Sequence, residues 1–371
     1  MRRPLLGITL AVIVGISPSA AQQSPTAVAR PAGREPILTI GGLIQAQADF
    51  GDRGDSRFTN DNDRFYLRRA RLNATGKFLE EFDFRLELDL AGSLTNTSAL
   101  RAQATDAYIT WNRYHAAIVR VGQFKTPFGF EQLYGDPRLA TLERSLVNDR
   151  LTLSRQIGVQ VSGDLADKRL TYAVGAFNGN GTNNNFNDDD RFLIAARGAG
   201  VPWRGGLNGI PASWTVGANG YQSHDANVPQ GPEFGFDSTP ATPDRDAIFS
   251  GDRRGWGIDS QLVFGRFDLW GEYLSTRWEP ESRRPSAVVE SSGWYAQAGL
   301  YVVPERLQVV LKEETFDPRT DHSGDTTTTD TAGINYFFKG HDLKLMVDYL
   351  RVQANRDPDQ NKVLARLQVI F

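Results

Sequence analysis

From residue 37 to residue 371, apolar and polar side chains alternate with period two in segments of about ten residues, divided by turn-forming residues. Phe82, Phe84, Leu86, Leu88 and Leu90 share one face of an extended segment, while Asp83, Arg85, Glu87 and Asp89 share the other. Near the end of the sequence Val363, Ala365, Leu367, Val369 and Phe371 oppose Lys362, Arg366 and Gln368. A soluble sheet with one buried face would read the same in any single segment, so it is the length of the series that discriminates. About sixteen such segments follow one another, an even number as single-chain bacterial barrels require. They include 37–48, 64–75, 82–90, 214–221, 255–264 and 362–371.

The connections alternate in length. Gly265-Arg266, Pro304-Glu305 and Lys339-Gly340-His341 are tight turns, whereas 49–63, 123–155, 178–190 and 222–254 are long and polar. This predicts an all-β fold: a transmembrane antiparallel β-barrel of about 16 strands, with short periplasmic turns and long extracellular loops. Ten residues at roughly 3.3 Å rise, tilted near 45°, cover about 23 Å, close to the apolar band of such a barrel. Hydrocarbon satisfies no backbone group, so the sheet must close on itself. At about sixteen strands the lumen is too wide for side chains to fill.

The N-terminus predicts export. Arg2 and Arg3 precede an apolar stretch, 5–16, that is too short to span a bilayer as a helix, and Ser19-Ala20-Ala21 is a small-residue cleavage site. The expected division is a signal peptide over 1–21, a disordered Ala/Pro/Ser/Arg-rich leader over 22–36, and a barrel domain over 37–371. The chain has no Cys, hence no disulfide framework. Loss of Arg2 and Arg3 takes 41 Lys+Arg to 39 against 44 Asp+Glu, a formal charge of −5, which argues against a nucleic-acid partner.

Several stretches resemble the phosphate-selective porin O and P family: RFYLRRARLNATGKF at 64–78 with FDFRLELDL at 82–90, VGQFKTPFGFEQL at 121–133, LERSL at 142–146 and RQIGVQVSGD at 155–164. The resemblance implies a sixteen-stranded, typically trimeric outer-membrane porin. It implies passive diffusion of small hydrophilic solutes through a water-filled channel, with anions, phosphate among them, as candidate cargo. The expected partners are outer-membrane lipid and lipopolysaccharide, the barrel assembly machinery that would read the terminal Phe371, and two further copies in a homotrimer. An outer-membrane lipid hydrolase and a secreted soluble β protein are the competing classes; the sequence contains neither a G-x-S-x-G elbow nor a P-loop.

The alternation also nominates lumen residues. Arg69, Arg71, Arg85, Arg120, Arg197 and Lys312 fall on the polar face and could form a ladder of cations. The same faces carry Asp83, Glu87, Asp89, Asp106, Asp268, Glu272 and Asp348, which would balance them, so generic solute passage is the first reading and anion preference the second. The long connection from 123 to 155 contains Leu139, Leu142, Leu146, Val147 and Leu151, which are ill suited to external water. It is expected to fold into the lumen as a constriction carrying Lys125, Arg138, Arg144 and Arg150, with Gly129, Gly135 and Pro137 turning the chain inward. His115, His224, His322 and His341 fall in expected turns or loops without ligand spacing, and the chain is expected to need neither metal nor cofactor. Asp188-Asp189-Asp190 reads as a hydrated loop tip.

Overall fold

The computed structural model describes residues 37–58, 63–91, 102–230, 232–236, 247–281, 288–354 and 358–371. The expected signal peptide and leader lie outside them. Among the described residues, sixteen antiparallel strands form a closed barrel in which each strand pairs with its neighbours in sequence and the first pairs with the last. They are β1 Ile37–Gly51, β2 Arg64–Phe78, β3 Phe82–Asp89, β4 Gln103–Tyr114, β5 Ala117–Lys125, β6 Arg155–Leu165, β7 Leu170–Phe177 and β8 Leu193–Leu207. The second half comprises β9 Ile210–Gln230, β10 Ala247–Phe264, β11 Phe267–Pro280, β12 Val289–Val303, β13 Leu307–Asp317, β14 Thr327–Lys339, β15 Leu343–Ala354 and β16 Gln360–Ile370. Closure runs from Leu43 opposite Ile370 to Gly51 opposite Lys362. Every strand thereby finds two partners, the condition for a sheet surrounded by lipid.

The period-two pattern sorts the side chains. Leu72, Leu86, Leu88, Val121, Ile334, Leu367 and many other apolar residues are exposed on the outer face, while Glu87, Asp89, Lys362, Arg366 and Gln368 are buried on the inner one. Exposed aromatic residues collect toward the two rims: Trp203, Trp214, Phe267, Tyr336 and Phe338 near the short-turn end, and Phe50, Phe65, Trp294 and Tyr349 near the long-loop end. Two such girdles bracket the apolar band of a transmembrane barrel.

The structure departs from the sequence reading at β9 and β10. Expected at 214–221 and 255–264, they continue as a paired ribbon to Gln230 and back from Ala247. Ser223 and Asp225 still alternate inward there, but glycines and prolines dilute the apolar signal, and a register shift between Phe249 and Gly251 breaks the period. His224, expected in a loop, therefore sits in β9, where its Nδ1 lies 2.8 Å from Asp252. A second irregularity matters more for the lumen. The β1–β2 register shifts between Gln45, opposite Arg69, and Ala46, opposite Leu67, so Arg68 is the extra residue of a bulge.

Candidate functional site

Between β5 and β6, residues 126–154 enter the barrel and run along its inner wall. Thr126 N–H donates to Ser154 O at 3.1 Å and draws the two ends of the loop together. Gly129, at φ 82°, then turns the chain inward, in a region that only glycine enters at little cost. Gly135 has φ −67°, which any residue adopts, so its glycine character is not what bends the loop. A short helix, α1 at Phe130–Leu133, is followed by a 3₁₀ turn at Asp136–Arg138 and by α2 at Leu146–Leu151. Ser145 caps α2 by accepting the Asn148 N–H.

A loop buried in a barrel must find partners for its backbone, and here the wall supplies them. On β11, the Glu272 carboxylate accepts the N–H groups of Phe130 and Glu131 and the Asn148 amide, the last at 2.8 Å. Asp348 on β15 accepts Leu142 N–H at 2.6 Å. Loop carbonyls take the wall donors: Ala140 O from Asn335, Leu139 O from Lys344, Pro137 O from Gln368 and Leu142 O from Arg366. Apolar contacts complete the seat. Leu146, Val147 and Leu151 join Trp278, Tyr295 and Phe316, while Leu142 packs with Phe58, Met346, Leu350 and Leu364. The loop therefore covers the inner wall from β11 round to β16 and β2, and no hydrogen bond among the described residues ties it to β3, β4, β7 or β8. Phe177 of β7 and Leu193 and Ala195 of β8 are nevertheless buried in the same apolar cluster as Leu146, Val147 and Leu151.

Where the loop meets β2, a cavity of about 300 Å³ is lined by Arg57, Arg68, Arg69, Arg71, Arg144 and Arg155 and by four carboxylates, Asp89, Asp136, Glu143 and Asp149. Asp136 is the hub, with Arg144 at 2.5 Å, Arg71 at 2.6 Å and Arg69 at 3.3 Å. Burial alone would raise its carboxyl, but those guanidinium groups hold it well below the usual carboxylate range. Glu143 behaves alike: burial opposes ionisation, yet Arg68 and Arg366, at 2.8 and 2.5 Å, keep the carboxyl depressed. Arg57 arrives from the first long loop and bonds Asp55, Glu314 and the Arg144 carbonyl.

Of the cations nominated from sequence, Arg69, Arg71 and Arg144 come together in this cavity. Arg85, Arg120 and Arg197 lie on β3, β5 and β8. Arg85 pairs with Glu87 and Asp106, and Arg197 makes a bidentate pair with Asp259 at 2.5 and 2.8 Å. Arg120 stacks on Tyr108, 4.4 Å from the ring centre, with no carboxylate among the described residues in ion-pair range. Of the remaining four, three are corrections. Lys312 does not line the pore; its side chain is 1% exposed beneath the loop, bound to Glu131 and Glu314. Lys125 ties the loop back on itself, donating to the carbonyls of Gln132 and Tyr134. Arg138 is exposed on the loop, and its neighbour Pro137 meets the β16 side chain that also holds the His341 turn. Arg150 reaches outward to Ser56 and Glu233. Phe371 closes the β1–β16 seam, exchanging backbone hydrogen bonds with Gly42 at 2.8 and 3.1 Å.

Sequence reasoning missed Arg57, Arg68 and Arg155. Strict alternation puts Arg68 outside whenever Arg69 is inside; the bulge brings in both, and only the doublet Arg68-Arg69 beside a long loop hinted at it.

The family model for phosphate-selective porin O and P matches residues 40–371. Porin O of Pseudomonas aeruginosa is 21% identical over 411 residues, covering 91% of this chain and 89% of that protein. Among solved structures, an anion-selective porin from Comamonas acidovorans superposes with TM-score 0.61 at 14% identity, covering 91% of this chain and all of that one (100%). The trimer form of OmpT from Vibrio cholerae gives 0.60 at 9% identity, over 91% and 100%. At such identities the structural likeness establishes the fold.

Proposed function

The chain belongs to the phosphate-selective porin O and P family and is an outer-membrane porin, and we propose that its water-filled channel prefers small hydrophilic anions. The observation that carries this reading is the convergence of six guanidinium groups on one lumen cavity against four carboxylates. Arg120 adds a cation with no carboxylate in ion-pair range among the described residues. Arg57 and Arg155 are paired by Asp55, Glu314 and Asp106 behind the lining, so the surplus of cations is that of the cavity's own surface. In a narrow lumen with low-dielectric walls, such a surplus concentrates counter-ions more than it would at the mouth.

Inorganic phosphate is one anion that a cluster of guanidinium groups would suit, because tetrahedral oxyanions take several charge-assisted hydrogen bonds. A homotrimer is proposed in keeping with the printed trimer form of the Vibrio relative. Contacts with lipopolysaccharide, and recognition of Phe371 by the assembly machinery, are proposed on the outer girdles and the terminal strand. The family and its porin relatives support passage rather than hydrolysis, and an esterase assay on purified protein addresses the alternative.

The test is a planar-bilayer reversal potential under a KCl gradient. Wild-type protein should reverse on the chloride side, and Arg144→Gln with Arg155→Gln should move it toward potassium. Reversal on the potassium side in wild type overturns the reading.

A further inference from the structure

The arginine-rich cavity has a neutral side as well as a charged one: Gln103, Thr105, Gln132, Thr152, Ser154 and Thr182 also line it. Direct contacts knit part of this neutral lining around Arg155. Thr182 Oγ1 donates to the Arg155 carbonyl at 3.1 Å, Arg155 Nε donates to Asp106 at 2.7 Å, and Asp106 follows Thr105 on β4. Gln123 joins the two flanks, accepting Asn183 N–H at 2.7 Å and donating to the Thr105 carbonyl at 2.9 Å. Thr152 ends α2 three residues after Asp149, so the two are neighbours on one helix face, and both line the cavity.

What these groups can still offer a solute is set by the bonds they have already made. Thr105 Oγ1 gives its proton to Glu87 at 2.8 Å, Thr152 Oγ1 to the Asn148 carbonyl at 2.6 Å, and Thr182 Oγ1 to the Arg155 carbonyl. A hydroxyl has one proton, so all three are left with lone pairs only. Asp149 is an acceptor as well, and its one ion pair among the described residues is with Arg150 at 3.8 Å. Arg155 is the reverse, a pure donor that engages Asp106 through Nε and leaves both terminal amino groups without a protein acceptor among the described residues. Chloride and fully ionised oxyanions have no proton to give the hydroxyls, and Asp149 repels them. A solute with an anionic group and several O–H groups satisfies both sides, and about 300 Å³ lies at the small end of the range for small-molecule sites. We propose that this cavity binds polyhydroxylated anions, sugar phosphates or sugar acids, with its arginines taking the anionic group and Thr105, Thr152, Thr182 and Asp149 taking the hydroxyls. The proposal rests on the anion reading and names its solute class.

Two matched pairs of probes test this on single channels of the full-length protein in planar bilayers, with interruption of the chloride current as the readout. Glycerol 3-phosphate and propyl phosphate share a carbon chain and a charged head and differ in their hydroxyls; glycerate and propionate do the same for a carboxylate head. In each pair the hydroxylated member should act at a concentration about three- to tenfold lower, the range of one net hydrogen bond. An advantage confined to one pair assigns the head group. Thr182→Val, on an exposed loop, and Thr152→Val should each roughly halve the advantage or reduce it further, whereas Thr182→Ser should keep it. Asp149→Ala should also reduce it, and should lower the concentration of propyl phosphate required, because a repelling charge is gone. Arg155→Gln should weaken both members of a pair alike. Ratios near one in both pairs on wild type overturn the proposal, as do undiminished ratios in all three of Thr182→Val, Thr152→Val and Asp149→Ala. The KCl reversal potential reports separately: a potassium-side reversal with the ratios intact would sink the charge preference and not the hydroxyl site.

Discussion

Replacing Asp136 by Asn keeps the size of the side chain and removes one negative charge from the centre of three guanidinium groups. Arg71 would retain Asp89 at 2.8 Å, and Arg144 would retain the carbonyls of Glu131 and Tyr134. Arg69 would keep only the Gln45 side chain, at 2.8 Å, so it loses most. Stripping one partner from a buried pair costs about 3–5 kcal/mol, and water in the adjoining cavity draws the figure toward the lower end. The uncovered charge also acts on passing ions. At about 6 Å in a water-like dielectric one unit charge is worth about 0.7 kcal/mol, roughly threefold in a permeability ratio, and a drier path with a dielectric near 20 would quadruple that energy. Asp136→Asn should thus reverse further to the chloride side under a KCl gradient while its heat-modifiable band unfolds at lower temperature. The pH dependence follows from the depressed native carboxyl. Its stabilisation is complete above the ordinary carboxylate pKa and disappears only as pH falls through the lower native value, so the Asp136 contribution should be intact at about pH 5. A folded Asn variant with unaltered reversal potential would show that the cavity is off the ion path.

Three further outcomes are expected. Deleting 135–146 removes the loop's tethers to β2, β14, β15 and β16 and should raise single-channel conductance; a folded deletion that conducts like wild type would mean that the loop is not the narrowing element. Leu86→Arg, on the exposed outer face of β3, should cost about 2–4 kcal/mol near mid-membrane in a denaturant titration, whereas Glu87→Gln on the lumen side should cost less, and equal costs would refute the assigned faces. Phe371→Ala should lower the amount of folded barrel recovered from outer membranes, and wild-type recovery would count against its proposed role in assembly.

The barrel was legible because period two and turn length are local: each strand announces its faces without reference to any other. The inward fold of the 126–154 loop was legible for a different reason, namely that Leu139, Leu142, Leu146, Val147 and Leu151 had no comfortable place in external water. What could not be read was reciprocal. Leu274, Leu350 and Leu364 face inward, against the polar-lumen rule, only because the loop lies over them. Lys312 was placed correctly on the inner face and misjudged as pore-lining, since alternation gives the face and not the cover, and its cover comes from Glu131, 181 positions away. The doublet Arg68-Arg69 defeated alternation through a single extra residue. Charge partners separated by hundreds of positions leave no mark in a local pattern.

The anchors of the inward-folded loop carry a consequence for biogenesis. Arg366 of β16 holds Leu142 O and Glu143 across 224 and 223 positions, and Arg71 of β2 holds Asp136. These two strands stand on either side of β1, so the loop is gripped from both flanks of the seam where the sheet closes. A barrel that failed to join β1 to β16, or joined them one residue out of step, would swing Arg366 away and leave a buried carboxylate with fewer partners. Sealing of the wall and narrowing of the channel are then one cooperative event, and a leaky, half-zipped cylinder would be an energetically penalised state rather than a stable by-product.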